Sequence, residues 1–140
     1  MFWDSSALVP QLVPEDSSPV VSALLRSDQA VVLWWASPVE CQSAIYRRYR
    51  DGALPEASLT GALARLQTLV LYVDFIVPST RVRERAGRAL AAHPLRAGDA
   101  LQLAAALVWC EEAPQGDSFV CLDERLREAA RREGFTVLPA

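Results

Sequence analysis

The chain of 140 residues contains no lysine, since all fourteen of its basic residues are arginine. Every mechanism that needs a lysine is thereby excluded, the P-loop among them. Histidine is nearly absent as well, occurring once as His93. Cysteine occurs three times, at Cys41, Cys110 and Cys121, an odd count in apolar surroundings. These read as buried free thiols of a protein kept in a reducing cytoplasm. A zinc site would need these scattered singletons to meet, and nothing in their spacing predicts it. No apolar run approaches the roughly twenty residues that span a bilayer. "MFWDSSALV" meets an acid at once and lacks a basic leader, so neither a signal peptide nor a membrane anchor is expected. The six glycines are scattered and form no phosphate-cradling loop.

Repeats, low-complexity tracts and long linkers are missing too, which leaves one domain over residues 1–140. With 51% hydrophobic and 22% charged residues the balance is globular, not disordered. A chain of this length buries roughly two-thirds of its unfolded surface. The formal net charge of −3 means that any polyanion must be met by a local basic patch, not by the molecule as a whole.

"MFW" reads as a short buried strand ending in Asp4, followed by helical pieces broken at Pro10 and Pro14 and a better helix at "SPVVSALLRS". "AVVLWWA" is β-branched and aromatic without polar alternation, as suits a strand covered on both faces, with Trp34 and Trp35 in the core. "SPVECQSAIYRRYRDG" is a helix opened by Ser37-Pro38 and stopped at Gly52. "PEASLTGALARLQTLVLYV" is another, "DFIVP" a brief strand, and "RVRERAGRALAAH" an amphipathic helix ended by Pro94. "LRAGDALQLAAALVWC" is a helix apolar on most sides and therefore central. "SFVCL" is a strand, "DERLREAARREG" a helix closed by Gly134, and "FTVLP" a last strand. Strands alternating with helices predict an α/β domain with a largely parallel sheet and helices on both faces. Ligands of such sheets sit at the carboxyl ends of the strands.

Four acids fall at or near that edge. Asp4 ends the first strand, Asp123 ends "SFVCL", and Glu40 and Asp99 occupy the first turns of their helices. Each has a purely structural explanation. Ser37 to Glu40 fits a capping box, and Asp99 with Gln102 a looser one. Asp4 and Asp123 suit N-cap positions, where an acid is worth about 0.5–2 kcal/mol over alanine. Together they carry more weight than singly. Gathered carboxylates repel unless one is protonated or a cation lies between them. Oxygen-only ligands suit Mg²⁺ or Mn²⁺. With no lysine and no usable histidine, the set points to metal-assisted phosphodiester chemistry.

"FWDSSALV", "SPVECQSAI", "LRAGDALQLAAAL" and "FVCLDERLREAARREGF" together resemble the motifs of PIN domains, and most of all VapC-type toxins of bacterial toxin–antitoxin pairs. The resemblance covers essentially the whole chain. It departs from the family at Cys121, where Thr or Ser often stands. The loop "EEAPQGDS" is rather long and offers Asp117 as a rival to Asp123, which is favoured as the strand-end acid. The resemblance implies a three-layer α/β/α sandwich with a mostly parallel sheet of four to five strands. It also implies a Mg²⁺- or Mn²⁺-dependent endoribonuclease. Asp4 and Asp99 would be direct ligands, Glu40 would hold the ion or orient a water beside it, and Asp123 would complete the pocket. Hydrolysis would leave 5′-phosphate and 3′-hydroxyl ends. Ser6 either adds a hydroxyl to the site or caps a helix.

Candidate cations for RNA are Arg47, Arg48, Arg50, Arg125, Arg127 and, nearest the acids, Arg96. The family resemblance also implies a homodimer and a small VapB-like antitoxin lying in an apolar groove formed by "SSPVVSALLRS" and "PEASLTGALARLQTLVLYV". A receiver domain is excluded by the missing lysine, and a haloacid-dehalogenase-type phosphatase by Asp4-Ser5-Ser6 where Asp-x-Asp is required. The remaining alternative is a catalytically weak PIN-like domain that acts by binding protein or RNA.

Overall fold

Strands buried on both faces have no polar side to turn to water, so their neighbours must be helical layers. The computed structural model describes residues 1–140 and contains five strands, all parallel, in the order β3-β2-β1-β4-β5, and the central β1 and β2 are buried throughout. They are β1 (Phe2–Trp3), β2 (Val32–Trp34), β3 (Asp74–Ile76), β4 (Ser118–Val120) and β5 (Thr136–Leu138). Seven helices connect them: α1 (Ser5–Leu12), α2 (Ser18–Ser27), α3 (Ser37–Arg50), α4 (Glu56–Leu69), α5 (Thr80–Ala92), α6 (Ala97–Trp109) and α7 (Glu124–Glu133). This is the three-layer sandwich and parallel sheet expected from the sequence. No helix is long and apolar enough to cross a membrane.

Alternate side chains of each strand feed opposite layers. Phe2, Val32, Trp34 and Phe119 face α5, α6 and α7, where Phe2 stacks on Phe119 with centroids 5.5 Å apart. Trp3, Leu33 and Val120 face α1, α3 and α4 instead. α6 is the most deeply buried helix, with Ala100, Leu103, Ala104, Ala105 and Ala106 fully covered. The chain runs outward from β1 to β3 and then returns to the other side of β1 as β4. That reversal places a topological switch point between β1 and β4, where α/β sheets open a crevice.

Several local expectations are corrected. Pro10 does not end the first helix but lies inside α1. Only the Ser6 carbonyl loses a helical donor to it, and the Pro10 carbonyl accepts from Ser18 Oγ at 2.7 Å. The expected Ser37–Glu40 capping box does not form. Ala36 is the N-cap of α3 and makes no side-chain cap, while Glu40 bonds elsewhere. The Asp99–Gln102 box is absent as well, because Gln102 reaches across to α3. Trp34 is core as expected, but Trp35 is 57% exposed, since it follows the last paired residue of β2 and points away from both layers.

Arg127 also departs from its expected role as an RNA-facing cation. It is 7% exposed, and its guanidinium donates to the carbonyls of Cys121 at 2.6 Å, Leu138 at 3.3 Å and Pro139 at 2.7 Å. It fastens the ends of β4 and β5 together. Arg127→Met should keep the fold and lose about 2 kcal/mol, because the buried Cys121 carbonyl is left without its guanidinium donor. Urea unfolding of the two proteins measures this.

Candidate active site

All four acids line one cavity of about 560 Å³ at the carboxyl edge of the sheet, shared with Ser5, Ser6, Arg47 and Arg48. Asp4 and Asp123 follow β1 and β4, the two strands at the switch point, and the Asp4 amide extends their ladder by donating to the Val120 carbonyl at 2.9 Å. Glu40 comes from α3 in one helical layer and Asp99 from α6 in the other.

Each acid is held in the same way. Asp4 Oδ2 accepts from the Ser6 amide at 2.9 Å and so caps α1. Asp123 Oδ1 accepts from the Leu126 amide at 3.0 Å and caps α7. Asp99 Oδ2 accepts from the Arg96 amide at 3.4 Å in the first turn of α6. Glu40 Oε2 accepts from Ser5 Oγ at 2.6 Å and Gln102 Nε2 at 2.8 Å. The capping explanation therefore holds for Asp4 and Asp123 and, through the Arg96 amide, for Asp99, and it uses only half of each carboxylate. In all four the second oxygen has no protein partner, and none of the four takes part in a salt bridge.

Asp4 is 4% exposed. Burial pushes its carboxyl from 3.8 up to about 6, the Ser6 hydrogen bonds pull it back, and the charge of Glu40 adds to the rise. The two thiols beside it answer the same field. Burial and then the Asp4 and Glu40 carboxylates push Cys41 up to about 12, and burial followed by Asp4 pushes Cys121 well above the usual thiol range. Both are neutral at physiological pH. Cys121 faces Asp4 Oδ2 at 3.6 Å, where its S–H acts as a weak donor.

The donor chemistry suits a hard divalent cation: four carboxylates, none of them in a salt bridge, beside thiols that stay protonated. Their side chains are not gathered into a cage, however, since no three acid, cysteine or histidine groups stand in ion-holding geometry.

Other expected residues fall variously. Ser6 lines the cavity, and its hydroxyl accepts from the Leu122 amide at 2.9 Å, tying α1 to the segment after β4. Asp117 precedes β4, at the opposite end of that strand from Asp123, and lies outside the cavity. Arg96 is exposed at the start of α6 and does not line the cavity, and Arg50 and Arg125 lie outside it too. Arg47 and Arg48 do line it. Arg48 is paired with Glu15, whereas Arg47 has no acidic partner. Ser5 and Gln102 are polar members that sequence reasoning missed. Gln102 was detectable as the one amide in an apolar helix, but its spacing from Asp99 disguised it as a cap.

No protein-family model matches the chain. Two Mycobacterium tuberculosis proteins, ribonuclease VapC45 of strain CDC 1551 / Oshkosh and ribonuclease VapC49 of strain H37Rv, are each 29% identical to it over 140 residues, which is all of this chain and 95% of theirs. The crystal structure of M. tuberculosis VapC20, a sarcin-ricin loop cleaving toxin, superposes with a TM-score of 0.66 at 19% identity, covering 96% of this chain and 95% of that one. The chain shares the fold of that toxin and is similar along its whole length to the two VapC ribonucleases. A toxin–antitoxin complex from Klebsiella pneumoniae shares the fold at a TM-score of 0.60 and 13% identity, over 87% of this chain and 85% of that one.

The Asp4 environment has a consequence for stability. An acid whose folded pKa exceeds its unfolded value binds its proton more tightly in the fold, so it favours folding at low pH. As pH rises from about 4 to about 6 that contribution is lost, and a constant penalty remains above it. The gap corresponds to roughly 3 kcal/mol. Asp4→Asn in metal-free buffer should therefore raise thermal stability at pH 7.5, with the gain shrinking toward nothing at about pH 4. Melting curves across that range test it.

Proposed function

We propose that this chain is a PIN-domain endoribonuclease of VapC type, the toxin of a toxin–antitoxin pair, hydrolysing RNA phosphodiesters with Mg²⁺ or Mn²⁺. One observation carries the reading: four carboxylates line a single cavity, each with one oxygen fastened to the fold, the other without a protein partner, and none in a salt bridge. The full-length likeness to two proteins named as ribonucleases supports it.

Asp4 and Asp99, each anchored through Oδ2, would hold the ion. Asp123 completes the pocket. When bound, the divalent cation stabilises charge on the attacked phosphate and lowers the pKa of water. Glu40, held at Oε2, supports the ion or orients the attacking water through Oε1. Arg47, on the cavity wall without an acidic partner, meets an RNA phosphate. Cleavage leaves 5′-phosphate and 3′-hydroxyl ends.

The antitoxin's place is a separate apolar groove of about 490 Å³ lined by Leu12, Leu25, Ala64, Leu69 and Tyr72, between α1, α2 and α4. It unites the two segments singled out from sequence for that role. Exposed Trp35, Val39 and Val77 suit a second copy of the chain.

The purified chain, freed of antitoxin, should cut RNA with Mg²⁺ or Mn²⁺ and stop in EDTA. Asp4→Asn or Asp99→Asn should lower the rate by at least about 100-fold, as expected for loss of a group acting in the transition state. Gel analysis of end-labelled RNA reads both. Cleavage that survives both substitutions contradicts the metal site. A folded chain inert on every RNA pool supports the binding-module alternative.

A further inference from the structure

Gln102 is 1% exposed on a helix whose other buried side chains are all alanine or leucine. Its Nε2 donates to Glu40 Oε2 at 2.8 Å and to Ser37 Oγ at 3.0 Å. The amide orientation is dictated by chemistry, because the Glu40 carboxylate only accepts and the NH₂ group must therefore face it. That choice leaves Gln102 Oε1 buried without a partner. An orphaned interior acceptor is destabilising, and leucine would fill the space without one. Packing gives no reason for a glutamine at this position. The bond also joins opposite layers, since α6 lies in one and α3 in the other.

We propose that Gln102 is the positioning residue of Glu40: with Ser5 it pins one carboxylate oxygen and so reserves the other for the cavity. This rests on the reading of Glu40 as part of the cleavage site. Two neutral donors on the same oxygen fix the side chain without cancelling its charge, which a salt bridge would do. Partners of this kind behind a metal-site carboxylate are worth about 10–100-fold in affinity or activity.

The test is a cycle of four proteins: the unsubstituted chain, Gln102→Met, Glu40→Gln and the double variant, with Gln102→Leu as a second apolar replacement. Melting temperature, Mn²⁺ affinity by calorimetry, and kcat and KM for RNA cleavage are measured on each. Gln102→Met should melt no lower than the unsubstituted chain. Its kcat and Mn²⁺ affinity should fall by about 10–100-fold with KM little changed, and in the Glu40→Gln background it should add no further loss. Unchanged kcat in Gln102→Met or Gln102→Leu, or losses that multiply with that of Glu40→Gln, overturns the positioning role. If Glu40→Gln itself cleaves normally, Glu40 is outside the reaction and the site reading fails with it. If the unsubstituted chain cuts no RNA, the nuclease reading fails, and equal Mn²⁺ affinity in Gln102→Met then overturns the positioning role separately.

Discussion

Asp4 stands at the end of a fully covered strand, 4% exposed, with a second carboxylate close enough to raise its pKa and neither acid in a salt bridge. A fold does not accumulate buried negative charge at no cost. The surrounding structure distributes that cost. The amide of Ser6 caps the carboxylate, Cys121 offers a weak donor, and the end of α1 contributes its dipole. These contacts hold the charge in place without neutralising it. Neighbouring thiols are kept protonated by burial first and by the carboxylate field second, and stay inert as nucleophiles.

The switch point of the sheet explains why the acids assemble there. β1 and β4 are adjacent in space although more than a hundred residues separate them, so their terminal acids share one crevice. The helices of the two layers then supply Glu40 and Asp99 from opposite sides. α6 is buried from Gln102 to Leu107, so the exposed first turn that carries Asp99 leads directly into a helix held in the core. The Gln102–Glu40 bond links the two layers over the cavity. Rigid placement of this kind is what a preorganised site requires.

Much of this was legible in the sequence. Strand and helix order followed from apolar runs and caps, because buried parallel strands and capped helices leave strong local patterns. Asp4, Glu40, Asp99 and Asp123 could be picked out because each sits beside a strand end or helix start. What was hidden depended on partners distant in sequence. The Glu40 spacing fits a capping box, yet its carboxylate turns to Ser5 and Gln102 because those donors exist only in the folded layers. Arg127 resembles any surface arginine until β5 brings its terminal carbonyls alongside. Trp35 follows a buried tryptophan and carries no local sign that the strand has ended. Pro10 reads as a breaker, although an eight-residue helix tolerates the loss of one bond.

The central claim is that the cavity between Asp4 and Asp99 is a divalent-cation site. Anomalous diffraction from crystals of the full chain soaked in Mn²⁺ tests it most directly. The account predicts a peak in the cavity about 2.1 Å from oxygens of both Asp4 and Asp99, absent from Asp4→Asn crystals. An empty cavity at saturating Mn²⁺, or ions bound only elsewhere on the surface, would contradict it.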